Sequence, residues 1–210
     1  MDNKYFENFQ DNSSVLIKNG PKMKERDLVF IDLEMTGLKI DHEIIEIGWL
    51  KVNPKTLDIK EEFNIKIKPY RLDLADQKAL EISGYNEIDW KNAVSIEEGM
   101  KMFIEKCSGC VLCGYNFFYD WAWLYKVLND LGAFNPPFYY HKLDIMSMAY
   151  LVLKDDILIE NFSLTNVCQY FDIKRDKCHN AFYDAKFTFE VYKKLCERIE
   201  NSGNSSSNQK

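Results

Sequence analysis

Residues 28–38 read LVFIDLEMTGL and contain the pattern on which the fold and the chemistry depend. The first four residues are apolar and predict a short buried strand, while Thr36-Gly37-Leu38 indicates a tight turn after it. Asp32 and Glu34 stand two positions apart at the end of this strand, so their side chains point to the same face of the sheet. A solvent-exposed acidic loop is the alternative interpretation of an isolated Asp-x-Glu, but the apolar residues before it favour a rigid strand end.

Two carboxylates held side by side repel each other unless a cation lies between them. Hard divalent cations prefer carboxylate and phosphate oxygens, so Mg²⁺ or Mn²⁺ suits this pair best. Residues 28–38 therefore predict a divalent metal site at the end of a strand.

Two further acidic positions, and one histidine, stand at predicted element ends. Asp120 follows a predicted strand at the start of a helix, and Asp184 lies in the first turn of the last predicted helix. Taken singly, each could be a helix-start acid stabilised by the helix dipole. His179 lies five residues before Asp184, and histidine accepts a proton from water readily near neutral pH. The recurrence of acids at three element ends favours one shared site.

Composition bounds the class of protein. The chain has 210 residues, 46% of them hydrophobic and 14% aromatic, which suits one domain with a sizeable core. Asp and Glu number 33 against 27 Lys and Arg, for a net charge of -6, so nucleic acid is not held by a broad basic surface. An enzyme that acts on nucleic acid stays compatible with this charge, because bound cations would invert the local field.

The start of the chain has no secretory pattern, and no apolar run reaches the ~20 residues of a membrane span. The six cysteines are therefore expected to be reduced thiols in an intracellular, cytoplasmic protein. Cys107, Cys110 and Cys113 form two overlapping C-x-x-C spacings. A zinc site needs four ligands, so these cysteines are interpreted as small core residues.

The chain is expected to comprise a flexible tail or a loosely docked extension at 1–26, one domain at 27–200 and a disordered tail at 201–210. A turn at 53–56 predicts an antiparallel hairpin between the second and third strands, and Ser163 is the predicted N-cap of the fifth helix. The element pattern predicts a mixed sheet with helices around it. The predicted strands are 28–31, 44–52, 62–68, 111–115 and 139–144, and the predicted helices are about 73–82, 95–107, 119–131, 146–153, 163–171 and 181–200.

With these motifs in this order, the chain resembles the DEDDh 3′→5′ exonucleases, which include the proofreading exonucleases of bacterial replicative DNA polymerases and the oligoribonucleases. Residues 32–38 match the first motif, Asp-x-Glu-x-Thr-Gly-Leu, and Asn116 with Asp120 matches the second. His179-x-Ala181-x-x-Asp184 matches the third, and its histidine marks the DEDDh branch. Tyr115 stands where the second motif commonly has histidine, a departure expected to affect substrate contacts more than the metals. The resemblance covers about residues 27–198.

The resemblance implies an α/β, RNase H-like fold with a five-stranded mixed sheet flanked by helices. It implies two divalent cations, Mg²⁺ or Mn²⁺, held by Asp32, Glu34, Asp120 and Asp184, with Asp32 shared between them. His179 would be the general base that takes the proton of the attacking water. The substrate-binding residues that it implies, or that a lining position suggests, are Met35, Thr36, Gly37, Leu38, Asn116 and Phe118.

The predicted function is a metal-dependent 3′→5′ exonuclease that releases nucleoside 5′-monophosphates from single-stranded RNA or DNA ends. The alternative is a catalytically silent nucleic-acid-binding or scaffold protein that keeps the fold. A homodimer is compatible with the resemblance. Residues 174–177, KRDK, could receive a phosphate backbone, with solvated loop charge as the competing interpretation.

Overall fold

The chain folds into one five-stranded mixed sheet with helices on both faces. In the computed structural model, which describes residues 4–7, 20–175 and 179–207, the central strand pairs with one antiparallel neighbour on one side and one parallel neighbour on the other. The strands are β1 (Leu28–Met35), β2 (Ile44–Val52), β3 (Ile59–Lys66), β4 (Val111–Gly114) and β5 (Leu143–Asp144), in the sheet order β3-β2-β1-β4-β5. This architecture confirms the predicted fold class.

Within the described residues, six helices longer than a single turn surround the sheet, and short polar side chains cap the N-termini of several of them. They are α1 (Gln77–Ser83), α2 (Ile96–Cys107), α3 (Phe118–Asp130), α4 (Ile145–Leu153), α5 (Leu164–Tyr170) and α6 (Ala181–Ser207). The hydroxyl of Ser163 accepts the Asn166 N–H at 3.2 Å, which confirms its predicted role as the N-cap of α5. Single helical turns also occur at Lys4–Glu7, Met23–Glu25 and Leu72–Leu74.

Strand β1 is buried on both faces, and this explains why its first half is uniformly apolar. Leu28 and Phe30 pack into a cluster with α4, α5 and α6. The residues between and after them pack on the opposite face, in a cluster that contains side chains of α2 and α3. A strand covered on both sides is expected to read as a continuous apolar run. Asp32 and Glu34 continue the stripe of Leu28 and Phe30, so they face α6 where the apolar core ends.

Gly48 allows α6 to cross closely over the sheet. It lies opposite Asp32 in the β1–β2 register. A Cβ atom at this position would overlap the backbone of Ala181 and Phe182, in the first turn of α6. The absence of a side chain at Gly48 thus lets the start of α6, which carries Asp184, approach the end of β1.

Element bounds differ from the predictions where tertiary pairing overrides local pattern. β1 continues to Met35 because β2 pairs with it beyond the apolar run. The fifth strand was predicted at 139–144 but comprises only Leu143–Asp144, because its partner β4 offers only Cys113 and Gly114. Helix α1 begins at Gln77, where the Asp76 carboxylate caps it, rather than near residue 73.

The predicted terminal segments are only partly described. Residues 1–3 and 8–19 lie outside the described residues, while Phe6 is 4% exposed and belongs to the cluster that contains α2 and α3 side chains. Helix α6 continues to Ser207, beyond the predicted boundary at 200. The last three residues lie outside the described part of the chain.

Cys107, Cys110 and Cys113 are buried thiols, which confirms their interpretation as core residues. Burial raises the pKa of the Cys110 thiol to about 11, so it is protonated and unreactive at neutral pH. Among the helices in the described ranges, none has the length and apolarity that crossing a membrane requires.

Replacement of Gly48 by alanine is expected to destabilise the domain by about 3 kcal/mol, because the new methyl group forces α6 away from β2. Urea denaturation followed by circular dichroism measures this loss. Gly84→Ala is the control, since Gly84 has open space around it and carries only the cost of a positive φ of 66°, about 1 kcal/mol. Equal losses in the two variants would contradict the close approach at Gly48.

Candidate active site

Three carboxylates converge where β1 meets the first turn of α6. Asp32 and Glu34 come from the end of β1, and Asp184 comes from α6. One carboxylate oxygen of each lies within 4.8 Å of the others. Three hard oxygen ligands at this spacing suit a divalent cation such as Mg²⁺ or Mn²⁺. The structure therefore brings together three of the four predicted metal ligands in one candidate site.

Asp120 approaches the same strand end from the opposite side of the sheet. It lies in the first turn of α3, is buried, and its Oδ1 accepts the Leu33 N–H at 3.1 Å. Strand β4 pairs with β1 only as far as Phe30, which leaves the later backbone groups on this edge of β1 without a strand partner. The Asp120 carboxylate fills this place, and its charge contributes to the raised pKa of Asp32 and Glu34.

The carboxylates perturb one another strongly. Burial raises the pKa of Glu34 to about 8, with further contributions from Asp184, Glu46 and Asp120. Burial also raises the pKa of Asp120 to about 7. The pKa of Asp32 is raised well above its usual value by burial and by its acidic neighbours. Without a cation the site therefore retains protons at neutral pH, and a bound divalent cation would displace them.

Asp184 is held in place through both carboxylate oxygens. Oδ1 accepts a hydrogen bond from the Arg175 guanidinium, and Oδ2 accepts the backbone N–H of His179 at 3.2 Å. Arg175 also donates to the hydroxyl of Thr165 at 2.6 Å. The charge of Arg175 lowers the pKa of Asp32 against the stronger effects that raise it. Arg175 belongs to the predicted basic run at 174–177, of which residues 176 and 177 lie outside the described residues.

His179 stands at the rim of the site, directly before α6. It is exposed and adopts a left-handed backbone with φ of 58°, which histidine tolerates better than most residues. Its side chain faces the same groove as Asp32, Glu34 and Asp184. The five residues predicted for catalysis thus meet at one end of β1, although they are spread over 153 positions of sequence, from Asp32 to Asp184.

A groove of about 680 Å³ runs from the carboxylates to α1. Leu38 and Ile82 supply apolar surface, and their side chains are exposed. Lys39 and Lys78 line the same groove and are also exposed. The groove therefore combines metal-ligating oxygens at one end with apolar and basic groups farther along, a composition that suits a phosphate-linked chain of bases.

The turn after β1 shapes this groove. Met35, Gly37 and Leu38, three of the predicted substrate-binding residues, line it. Thr36 is buried instead, since its hydroxyl accepts the Glu43 N–H at 2.9 Å and its own N–H donates to the Glu43 carbonyl at 2.8 Å. Thr36 thus stabilises the turn that presents its neighbours. Direct substrate contact by any of these residues stays a prediction.

Asn116 and Phe118 lie at the start of α3, close in sequence to Asp120. Asn116 has a φ of 53°, and Phe118 is 75% exposed, with its ring edge-on to Tyr119. Neither residue is among the described residues that line the groove, and their predicted substrate contacts remain predictions. The hydroxyl of Tyr115 donates to the Phe162 carbonyl at 2.8 Å, so this departure from the family motif packs against the core.

Sequence reasoning missed Glu46, a carboxylate buried beneath the site. Glu46 lies opposite Glu34 in the β1–β2 register and is 0% exposed. The signal was present, because an acidic residue interrupts the apolar run IIEIGWL at 44–50, and buried carboxylates are rare without partners. Lys39, Lys78 and Ile82 were also missed, since their approach to the groove depends on the position of α1.

The fold is RNase H-like, and the site brings together a DEDDh set of four acidic residues and one histidine. The model of the RNase T exonuclease family matches residues 29–192. The chain belongs to this exonuclease family, within its DEDDh 3′→5′ branch.

Curated relatives include two kinds of protein. A PolC-type DNA polymerase III of Caldanaerobacter subterraneus subsp. tengcongensis is 30% identical over 184 residues, which cover 85% of this chain and 12% of the polymerase. An oligoribonuclease of Legionella pneumophila strain Corby is 27% identical over 142 residues, which cover 61% of this chain and 74% of that enzyme. The chain therefore spans only about one-eighth of the length of the polymerases it matches.

Solved structures confirm the fold. The nuclease domain of 3′hExo, a DEDDh family member bound to rAMP, superposes with a TM-score of 0.69 at 18% identity, covering 82% of this chain and 92% of that domain. Exonuclease I of E. coli in complex with a dT13 oligonucleotide gives a TM-score of 0.71 at 15% identity, covering 86% of this chain and 43% of that one.

The metal-free protein is expected to lose stability as pH rises from about 5 to 8.5. Raised carboxyl pKa values mean that the native state binds more protons than the unfolded state in this range, so deprotonation favours unfolding. Glu34→Gln should remove about 2 kcal/mol of this pH dependence, allowing for partial solvent screening. Thermal unfolding in chelator at several pH values measures it.

Addition of Mg²⁺ should reverse much of the loss at pH 8.5, because a cation stabilises the ionised carboxylates. The control is Glu62→Gln, which removes an exposed carboxylate of β3. Identical pH profiles for Glu34→Gln, Glu62→Gln and the unchanged protein would contradict the raised pKa of Glu34.

Proposed function

We propose that the protein is a metal-dependent 3′→5′ exonuclease that hydrolyses single-stranded nucleic acid ends to nucleoside 5′-monophosphates. The observation that carries this proposal is the convergence of Asp32, Glu34 and Asp184 within 4.8 Å, with His179 at the rim of the same groove. All five DEDDh positions are chemically intact. This intactness favours an enzyme over a silent binding or scaffold protein.

The donor set supports two divalent cations, Mg²⁺ or Mn²⁺. Asp32, Glu34 and Asp184 would hold the first, and Asp120 with Asp32 would hold the second. When bound, such cations lower the pKa of water and neutralise charge that develops on a phosphate. The raised pKa values of Glu34 and Asp120 are consistent with such sites, because a bound cation would stabilise the ionised form of both carboxylates.

His179 is the proposed general base. Its exposed imidazole can accept a proton from a water that attacks the terminal phosphodiester, and histidine is the side chain that serves most often as a general base. The hydrogen bond from its N–H to Asp184 ties its backbone to a metal ligand at 3.2 Å. The base and the carboxylates are thus linked in position.

The substrate is proposed to be a single-stranded 3′ end. The exposed apolar side chains of Leu38 and Ile82 would contact bases, and Lys39 and Lys78 would face phosphates. Both RNA and DNA are candidate substrates, since the relatives of this chain include DNA polymerases and an oligoribonuclease. The 2′-OH group is what discriminates RNA from DNA. Digestion of single-stranded RNA and of single-stranded DNA therefore decides which of the two the enzyme prefers.

Digestion of 5′-labelled single-stranded RNA and DNA of equal sequence tests the activity. A ladder that shortens from the 3′ end is expected with Mg²⁺ or Mn²⁺ and should disappear with chelator. Asp184→Ala should abolish cleavage because a metal ligand is lost. His179→Ala should lower kcat by about 10²- to 10⁴-fold, the usual contribution of a general base.

Metal binding by calorimetry separates the two variants. His179→Ala should still bind Mg²⁺, while Asp184→Ala should bind it more weakly. Absence of cleavage of either strand with either metal would overturn the exonuclease and favour the binding or scaffold protein. Titration with the same oligonucleotides would then measure that binding.

Lys39→Ala and Lys78→Ala should each raise KM and reduce the salt dependence of substrate binding, by about one unit of the log–log slope per lost phosphate contact. Fluorescence anisotropy with a labelled oligonucleotide in Ca²⁺ or chelator, over a series of salt concentrations, measures the slope. Lys60→Ala is the matched control, because Lys60 pairs with Asp27 at 2.7 Å and is not among the described groove residues. A slope unchanged from the control would exclude phosphate contact by Lys39 and Lys78.

A further inference from the structure

Glu46 joins β2 to the segment that carries His179. Its side chain is completely buried, so it cannot touch a substrate. Oε1 accepts the Asn64 amide N–H at 2.8 Å. Both carboxylate oxygens accept from the Asn180 amide nitrogen, at 3.2 and 3.3 Å, and Oε2 accepts the Ala181 N–H at 3.3 Å. In each of these four hydrogen bonds the Glu46 carboxylate is the acceptor and a nitrogen of Asn64, Asn180 or Ala181 is the donor.

Asn180 links the Glu46 carboxylate to the first turn of α6 through hydrogen bonds. Its side-chain oxygen accepts the Tyr183 N–H at 3.2 Å, which is N-cap geometry, while its amide nitrogen donates to Glu46. Its backbone carbonyl accepts the Asp184 N–H at 3.0 Å. Asn180 is therefore held at both ends of its side chain, between a buried carboxylate and the first turn of the helix.

His179 directly precedes this anchor and has a strained backbone. A left-handed φ of 58° at a residue other than glycine persists only where the surrounding contacts determine it. The Asp184 carboxylate fixes the His179 N–H on one side. The bonds from Glu46 to Asn180 and Ala181 fix the chain that follows. Without them, the backbone at His179 would relax and move the imidazole.

We propose that Glu46 is a positioning residue that acts through Asn180 to hold His179 in its catalytic orientation. The inference rests on the proposed function, in which His179 is the general base. A displacement of about 1 Å in a catalytic group can lower a rate by about 10²-fold. Glu46→Gln is thus expected to lower kcat by about that factor, because its amide would place a donor against another donor. KM should stay within about threefold, since Glu46 is shielded from the groove.

Isosteric variants distinguish this role from a general loss of fold. Asn180→Asp keeps the oxygen that caps Tyr183 but replaces the donor to Glu46 with an acceptor, so it should reproduce the loss in kcat. In the combined variant of Glu46→Gln and Asn180→Asp, the amide at position 46 can donate to the carboxylate at position 180. A hydrogen bond across this contact is then restored, and part of the activity should recover. Glu62→Gln, an equal change of charge at an exposed position of β3, should leave kcat unchanged.

The decisive measurement is the effect of Glu46→Gln in a His179→Ala background. If Glu46 acts through His179, the second change should cost no more than about threefold. A full loss of about 10²-fold in that background would overturn the proposal, because Glu46 would then act on the metals or the fold. Full activity of Glu46→Gln in the unchanged background would overturn it as well.

Proton NMR of the three histidines tests the positioning without any turnover. The His179 Cε1–H signal, assigned by its absence in His179→Ala, should shift or broaden in Glu46→Gln, while His42 and His141 keep their signals. An unchanged His179 signal would contradict the inference. If the unchanged protein cleaves nothing, the proposed exonuclease fails, and this NMR arm still decides whether Glu46 positions His179.

Discussion

Mutual repulsion among buried carboxylates is the constraint on which the rest of the site depends. The end of β1 brings Asp32 and Glu34 beside Asp184, and Asp120 closes the opposite edge. Four acids in a half-buried place are unfavourable when all are ionised. The chain offsets this with the Arg175 guanidinium, with backbone N–H donors and with retained protons. Because the remaining repulsion among these carboxylates is not fully offset, binding of divalent cations at this end of β1 would be favourable.

The scaffold reaches this arrangement by packing both faces of β1. Helix α6 approaches one face because Gly48 has no side chain. On the other face, α3 delivers Asp120, and its start is held by the Asp144 carboxylate, which accepts the Phe117 N–H at 3.2 Å. The site is therefore an outcome of two helix placements against one strand, and a change in either placement would alter the spacing of the carboxylates.

Local pattern predicted the elements near the site well. Strand β2 lies within the predicted bounds, 44–52, and α4 begins one residue before the predicted helix. Prediction was weaker where pairing partners decide the outcome. The fifth strand is two residues long because β4 is short, and β1 extends through its acidic residues because β2 continues beside it. The spacing of apolar residues in one segment does not predict the length of the strand that pairs with it or the residue at which a helix ends.

The sequence by itself determined which residue types stand at the candidate site: four acidic residues and one histidine, in three motifs at the ends of predicted elements, together with the apolar run that makes β1 a buried strand. Only the tertiary structure decided which residues far apart in sequence are in contact. It placed Arg175 on Asp184, brought Lys39 and Lys78 of separate elements into one groove, and buried Glu46 against Asn180. Sequence spacing carries no information about contacts between residues 134 positions apart, such as Glu46 and Asn180, because sheet register and helix packing set them.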